Sequence, residues 1–326
     1  MERLNHSRVP EFVLLGLTDS PELQIFFFVA FSVFYLMTML GNCLILFTVL
    51  STSHLHSPMF FLLSNLSLID ICLSSFATPK MIMDFFAHHK TISFEGCISQ
   101  IFLLHLFTGT EIVLLISMSF DRYIAICKPL YYSTIMSQKV CVGLVVTSWT
   151  VGFLHTMSQL VFILYLPFCG PNVIDSFFCD LPLVLQLACI DTYVLGVFMV
   201  STSGVIALIS LLLLFISYIV VLVTIRGHSS IGSSKALSTC TSHFIVVLMF
   251  FGPCILIYVW PFTNFLMDKI LSVFYTIFTP FLNPLIYTLR NQEVRTAVKK
   301  KISNQYFSFG KINPHYTVKG LERSRE

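Results

Sequence analysis

The sequence predicts an all-α membrane protein, a bundle of seven transmembrane helices with the N-terminus extracellular and the C-terminus cytoplasmic. Three observations carry this prediction. Of 326 residues, 56% are hydrophobic and only 11% charged, and the mean hydropathy of +0.85 does not describe a soluble surface. Apolar blocks too long for ordinary core helices recur at residues 25–50, 58–77, 98–120, 140–166, 194–225, 236–262 and 270–289. Lipid offers no partner for an open backbone, so blocks that must cross about 30 Å of hydrocarbon do so as helices. Lys and Arg then give the orientation. With the N-terminus outside, the outer segments hold Arg3, Arg8, Lys80, Lys90 and Lys269, and the rest of the 19 basic residues lie inside, as the positive-inside rule requires. The net charge of +3 comes mostly from juxtamembrane residues. It points to a bilayer and not to nucleic acid.

The elements follow in order. Residues 1–24 form an extracellular arm, polar and mixed in charge, with no evident cleavable signal peptide; the first span serves as the insertion signal. Asn5-His6-Ser7 is a glycosylation sequon on the outer side. Asn65-Leu66-Ser67 also matches but lies inside the second span. Residues 25–289 form the seven-helix domain. The first span contains Gly41-Asn42; the second contains Asn65 and Asp70, with Pro58 suited to a first helical turn. The third ends in Asp121-Arg122-Tyr123, and Ile98 to Arg122 spans roughly 36 Å as a helix. Stepping back from Arg122 by four and three gives Met118, Leu115, Glu111, Thr108 and Leu104 on one face. A rod with polar groups along a single face suits a bundle interior that carries something from one side to the other. The fourth span has Trp149, read as packing, and little else polar. Residues 167–193 form a long outer loop with three cysteines, Asp175, Asp180 and Asp191, which reads as a lid or vestibule. Tyr218 falls in the cytoplasmic half of the fifth span. The sixth enters through Lys235-Ala236-Leu237-Ser238-Thr239-Cys240-Thr241-Ser242-His243 and breaks at Gly252-Pro253. The seventh ends in Asn283-Pro284-Leu285-Ile286-Tyr287. Residues 290–302 read as a juxtamembrane amphipathic helix whose Lys299-Lys300-Lys301 favours an anionic leaflet. Residues 303–326 read as a disordered tail.

Ten cysteines divide by position. Cys43, Cys72, Cys127, Cys141, Cys240 and Cys254 fall in spans or at their inner ends, where thiols act as small apolar groups. Cys97, Cys169, Cys179 and Cys189 fall on the oxidising side, and their spacing alone does not choose among three pairings. No metal-binding His/Cys spacing, phosphate loop or nucleophile elbow occurs, so no cofactor and no enzyme activity are expected.

The string Met118-Ser119-Phe120-Asp121-Arg122-Tyr123-Ile124-Ala125-Ile126-Cys127 resembles the rhodopsin-like G-protein-coupled receptors. Its continuation through Lys128-Pro129-Leu130-Tyr131-Tyr132 resembles the odorant receptor branch, class II, tetrapod type. Ser119, Phe120 and Ile124 depart mildly, standing where Ala, Tyr and Val are usual. Phe12-Val13-Leu14-Leu15-Gly16-Leu17, Leu55-His56-Ser57-Pro58-Met59-Phe60, the run from Lys235 to His243 and the Asn-Pro-x-x-Tyr of span seven extend the resemblance along most of the chain.

The resemblance implies disulfides Cys97–Cys179 and Cys169–Cys189, and an intramembrane polar cluster of Asn42, Asp70, Glu111 and Asn283. It implies coupling residues Asp121, Arg122, Tyr123, Tyr218, Lys235, Ser238, His243, Asn283, Pro284 and Tyr287, engaging a heterotrimeric olfactory stimulatory G protein that raises cAMP. The cell would be an olfactory sensory neuron, and the site its ciliary plasma membrane. The family pocket maps onto Leu104, His105, Thr108, Thr202, Ile206, Ile255 and Tyr258. Amine receptors carry a carboxylate where Leu104 stands, so this pocket is expected to take a small neutral volatile. A rhodopsin-like receptor for a non-odorant metabolite, lipid or peptide is the runner-up. A channel or transporter would also use a polar line through a bundle, but internal repeats and paired Gly/Pro-broken spans are missing. An intramembrane enzyme using Asp70 or Glu111 would need a second catalytic partner, and none is present.

Overall fold

Punctuation in the sequence decides where the helices start. Pro21 and Pro58 occupy first turns, where a missing N–H costs nothing. Ser93 caps the third helix, its side chain accepting from the Gly96 N–H at 3.1 Å. The computed structural model describes residues 10–52, 57–168, 172–226, 241, 244–256, 265–290 and 296. Within it, α1 covers Pro21–Leu50, α2 Pro58–Asp84, α3 Phe94–Cys127, α4 Gln138–Leu164 and α5 Tyr193–Arg226. The shorter apolar α6 is Phe244–Leu256. Helix α7 runs through Phe265–Val273, a π turn at Phe274–Phe278, and Thr279–Arg290. Six of these helices are long and apolar enough to cross a membrane. With α6 they make the expected seven-helix bundle. Asn5, most of residues 290–302 and the whole tail lie outside the described residues.

Helix α3 is the axis of the bundle, packing against α2, α4 and α5. Its buried Leu104, Phe107, Leu114, Leu115 and Met118 join the main core with residues from α2, α5, α6 and α7. Trp149 packs edge-on against Phe107, ring centroids 6.0 Å apart, in agreement with its reading as a packing residue. Helices α1 and α7 approach closely because Gly41 has no side chain. A Cβ there would sit 3.0 Å from the Pro284 ring. Pro284 has no N–H for the carbonyl four residues back, Pro280. The Asn42 side-chain amide supplies the missing donor, reaching the Pro280 oxygen at 3.1 Å.

The outer face holds a small sheet that the sequence reading did not anticipate. Strand β1 (Glu11–Leu14) lies between β2 (Thr91–Ser93), antiparallel, and β3 (Val173–Ile174), parallel. The arm is thereby stitched to both the first and the second outer loops. Phe12 and Leu14 point inward and are buried; the Phe12 ring meets Phe94 and Phe168 at 6.1 and 6.0 Å. Gly16, in the left-handed region at φ 78°, turns the chain from this strand toward α1.

Candidate functional site

The outer site is built by one covalent tie and several polar ones. Cys97, in the first turn of α3, is bonded to Cys179 of the second outer loop, with Cα atoms 5.4 Å apart. Gln100, one turn along, accepts from the Cys179 N–H at 2.9 Å and donates to the Phe76 carbonyl of α2 at 3.0 Å. Lys269 at the outer end of α7 reaches the Asp175 carboxylate of the same loop at 2.5 Å. Cys189 is also disulfide-bonded; Cys169, its expected partner, lies outside the described residues. The loop is thus fastened to α3 and α7 and roofs the space between helices.

Beneath it lies a cavity of about 440 Å³, continuous in its lining with a smaller one of about 60 Å³ that reaches inward between α3 and α4. His105, Thr108, Asp180, Ser203, Cys254 and Tyr275 line both. Of the residues expected at the ligand, Leu104, His105, Thr108 and Ile206 line the inner cavity. Thr202 does not line either; its hydroxyl accepts from Gln159 at 3.0 Å, while the neighbouring Ser203 faces the cavities. One step along a helix turns a side chain by about 100°. The same offset places Cys254 at the cavities and Ile255 against the main core. Tyr258 lies outside the described residues.

Two residues of the fourth helix, at and behind the cavity wall, escaped the sequence reading, and a third, Asp180, was read only as part of the outer loop. Helix α4 is more polar than its composition suggested: His155 lines the inner cavity, and Gln159 bonds across to Thr202 and Ser203 of α5. His155 arrives there because α3 and α4 touch at Gly109 and Gly152, a Cβ on Gly109 lying 3.3 Å from the Gly152 Cα. Each histidine sits one turn outward of its glycine, so the contact sets both imidazoles beside one space. Two small residues on successive hydrophobic spans were the available signal. The third residue, Asp180, is drawn over the bundle by its neighbour Cys179. A carboxylate absent at position 104 is therefore present at the mouth.

Deeper in the bundle, Asn283 donates to both Asp70 oxygens at 3.0 and 3.1 Å and to Glu111 at 3.5 Å. All three are buried. Asn42, expected in this cluster, instead serves the Pro280 and Thr38 carbonyls, for the reason given by Pro284. At the inner end, Asp121 and Arg122 diverge as neighbours on a helix must. Asp121 accepts from the Tyr132 hydroxyl at 2.8 Å, tying the second inner loop to α3. Burial, then the adjacent carboxylate, pushes the Tyr132 phenol well above its usual range, so it stays a donor. The Arg122 guanidinium lies against the Met59 sulfur of α2. Tyr123 is half-buried at the α3 end. Tyr218 is buried, its ring edge-on to Phe244 of α6 at 5.3 Å, and Tyr287 is buried in the main core. Lys235, Ser238 and His243 lie outside the described residues.

A loop-roofed outer cavity, a buried acid-amide cluster and an Asp-Arg-Tyr inner terminus on one seven-helix bundle define a rhodopsin-like membrane receptor. A family model described as olfactory receptor matches residues 31–305. The chain belongs to the olfactory receptor family and is a multi-pass plasma-membrane protein. It is 66% identical to human olfactory receptor 4K2 across 95% of this chain and 98% of that one. Human olfactory receptors 4K3 and 4K15 share 66% and 63% identity over 93% and 92% of this chain, covering 96% and 93% of their own lengths. Members of this family are signalling receptors, not enzymes.

Proposed function

We propose that this receptor binds a small, mostly apolar, neutral volatile in the outer cavity and activates a heterotrimeric stimulatory G protein to raise cAMP. The observation that supports this best is the 34-residue α3, which joins the cavity to the cytoplasmic face. Its outer half presents His105 and Thr108 to the cavity, its middle presents Glu111 to the buried cluster, and its inner end presents Asp121 and Arg122. A ligand that shifts this rod against α5 and α6 changes what surrounds Arg122. For a ligand of about ten heavy atoms contributing roughly 0.5–0.8 kcal/mol each, affinity falls at about micromolar to hundreds of micromolar.

The test is a cAMP assay in reporter cells expressing the full chain against a chemically broad panel of volatiles. Arg122→Ala is expected to abolish the cAMP response at unchanged surface expression. Normal signalling by that variant refutes the relay assigned to Arg122. Ligand-evoked current without G protein would refute the receptor reading.

A further inference from the structure

One hydrogen bond determines which ring nitrogen of His105 carries the proton. His105 Nδ1 lies 2.9 Å from the Ile101 carbonyl oxygen. A carbonyl can only accept, so Nδ1 carries the hydrogen and donates it. The neutral ring then has a bare Nε2, on its edge away from the helix backbone, that can only accept. Across the cavity, the Gln159 amide nitrogen approaches the Met199 carbonyl at 3.5 Å, which orients the amide because two oxygens would repel there. That nitrogen donates to Ser203 at 3.3 Å. Ser203 also lies 3.3 Å from His155 Nε2, where either atom can be the donor. The polar wall therefore offers an unprotonated acceptor at His105 and hydroxyls at Thr108 and Ser203, all lining both cavities.

We infer that the receptor selects ligands carrying a neutral O–H donor, alcohols and phenols, whose hydrogen is accepted by His105 Nε2. This rests on the outer cavity being the ligand site. Ketones, ethers and esters have only lone pairs to set against Nε2, and burying that nitrogen unpaired works against them. The hydroxyl oxygen, having donated, accepts from Thr108, so one small group satisfies two wall residues.

Matched sets decide the matter: an alkanol, its methyl ether, the corresponding ketone and alkylammonium, and a phenol with its methyl ether, applied to the full-length receptor in cAMP reporter cells with surface staining. The hydroxyl members are expected to be about tenfold or more as potent as their acceptor-only congeners. His105→Leu should bring that ratio close to one. His105→Gln adds an N–H beside its acceptor, so ketones should gain potency; this variant carries the test if His105→Leu is retained inside the cell. A purely structural role for His105 would shift every congener together and leave the ratio unchanged, which overturns the inference. Equal potency of alcohol and ether on the native receptor, or the ammonium compound as best agonist, overturns it too while leaving the receptor reading standing. A surface-expressed receptor silent to every congener and to the broad panel removes both.

Discussion

Replacing Gly152 by Ala should damage this receptor far more than one methyl group suggests. An added Cβ would lie 2.8 Å from the Thr110 backbone nitrogen and 3.0 Å from the Leu106 carbonyl oxygen. The nitrogen contact is about 0.6 Å short of the 3.4 Å of ordinary packing. Backbone atoms inside a helix cannot swing aside as a flexible side chain can, so α3 and α4 must separate. Overpacking of this kind costs about 1–3 kcal/mol. The separation also lifts His155 and Gln159 away from Ser203, so the loss reaches the cavity and not stability alone. Gly143→Ala on the same helix provides the control, because nothing lies within 4 Å of the added atom; it should be neutral or gain up to about 1 kcal/mol of helix propensity. Surface staining, thermal unfolding in detergent and agonist potency measured on both variants make the comparison. Equal behaviour of Gly152→Ala and Gly143→Ala would refute the close approach as the device that builds the inner cavity.

Two further outcomes follow from individual contacts. Asn42→Leu removes the donor that serves the Pro280 carbonyl, and leaving that buried oxygen unpaired should cost about 1–3 kcal/mol in thermal unfolding; unchanged unfolding would show the carbonyl satisfied by other means. Cys179→Ser releases the roof from α3, a loss of about 2–5 kcal/mol, and the receptor should be retained inside the cell or unresponsive. Peptide mapping that found Cys97 unpaired in surface protein would reject this pairing.

How much of the molecule could be read in advance depended on the range of the interaction. The helices were legible because crossing a bilayer imposes a length and an apolar composition on each block separately. The meeting of Asp70, Glu111 and Asn283 was legible because polar groups in lipid have few places to go. Asn42 was grouped with them by the family resemblance, whereas its partner is decided by a proline on another helix that leaves a carbonyl free. The inner wall was harder still. His155 was passed over in a span read as having little polar besides Trp149; the Gly109–Gly152 contact brings its helix against α3, and no periodicity within α4 reports a contact made by two glycines. Of the pocket positions carried over from the family, Leu104, His105 and Thr108 on α3 line the cavities, while beside Thr202 and Ile255 it is the neighbouring Ser203 and Cys254 that do, a difference of one residue that turns a helical side chain by about 100°. Strand β1, only four residues long, has too short an alternation to separate it from an ordinary polar arm.

That strand also imposes an order on biosynthesis. Val13 pairs with Thr91 on one side and Val173 on the other, so the strand's first neighbour is made 78 residues later and its second only after 160. At about 5–20 residues per second the wait is roughly 10–30 seconds. Until then Phe12 and Leu14, both buried in the finished protein, have only the first outer loop and the start of α3 to cover them. Closure of the sheet is thus a late event that needs the loop already positioned over α3. A chain whose second outer loop is misplaced leaves this strand without its β3 partner. Expression tags fused just ahead of Glu11 would act on that step, altering the fraction of chains exported while leaving the helices they precede untouched.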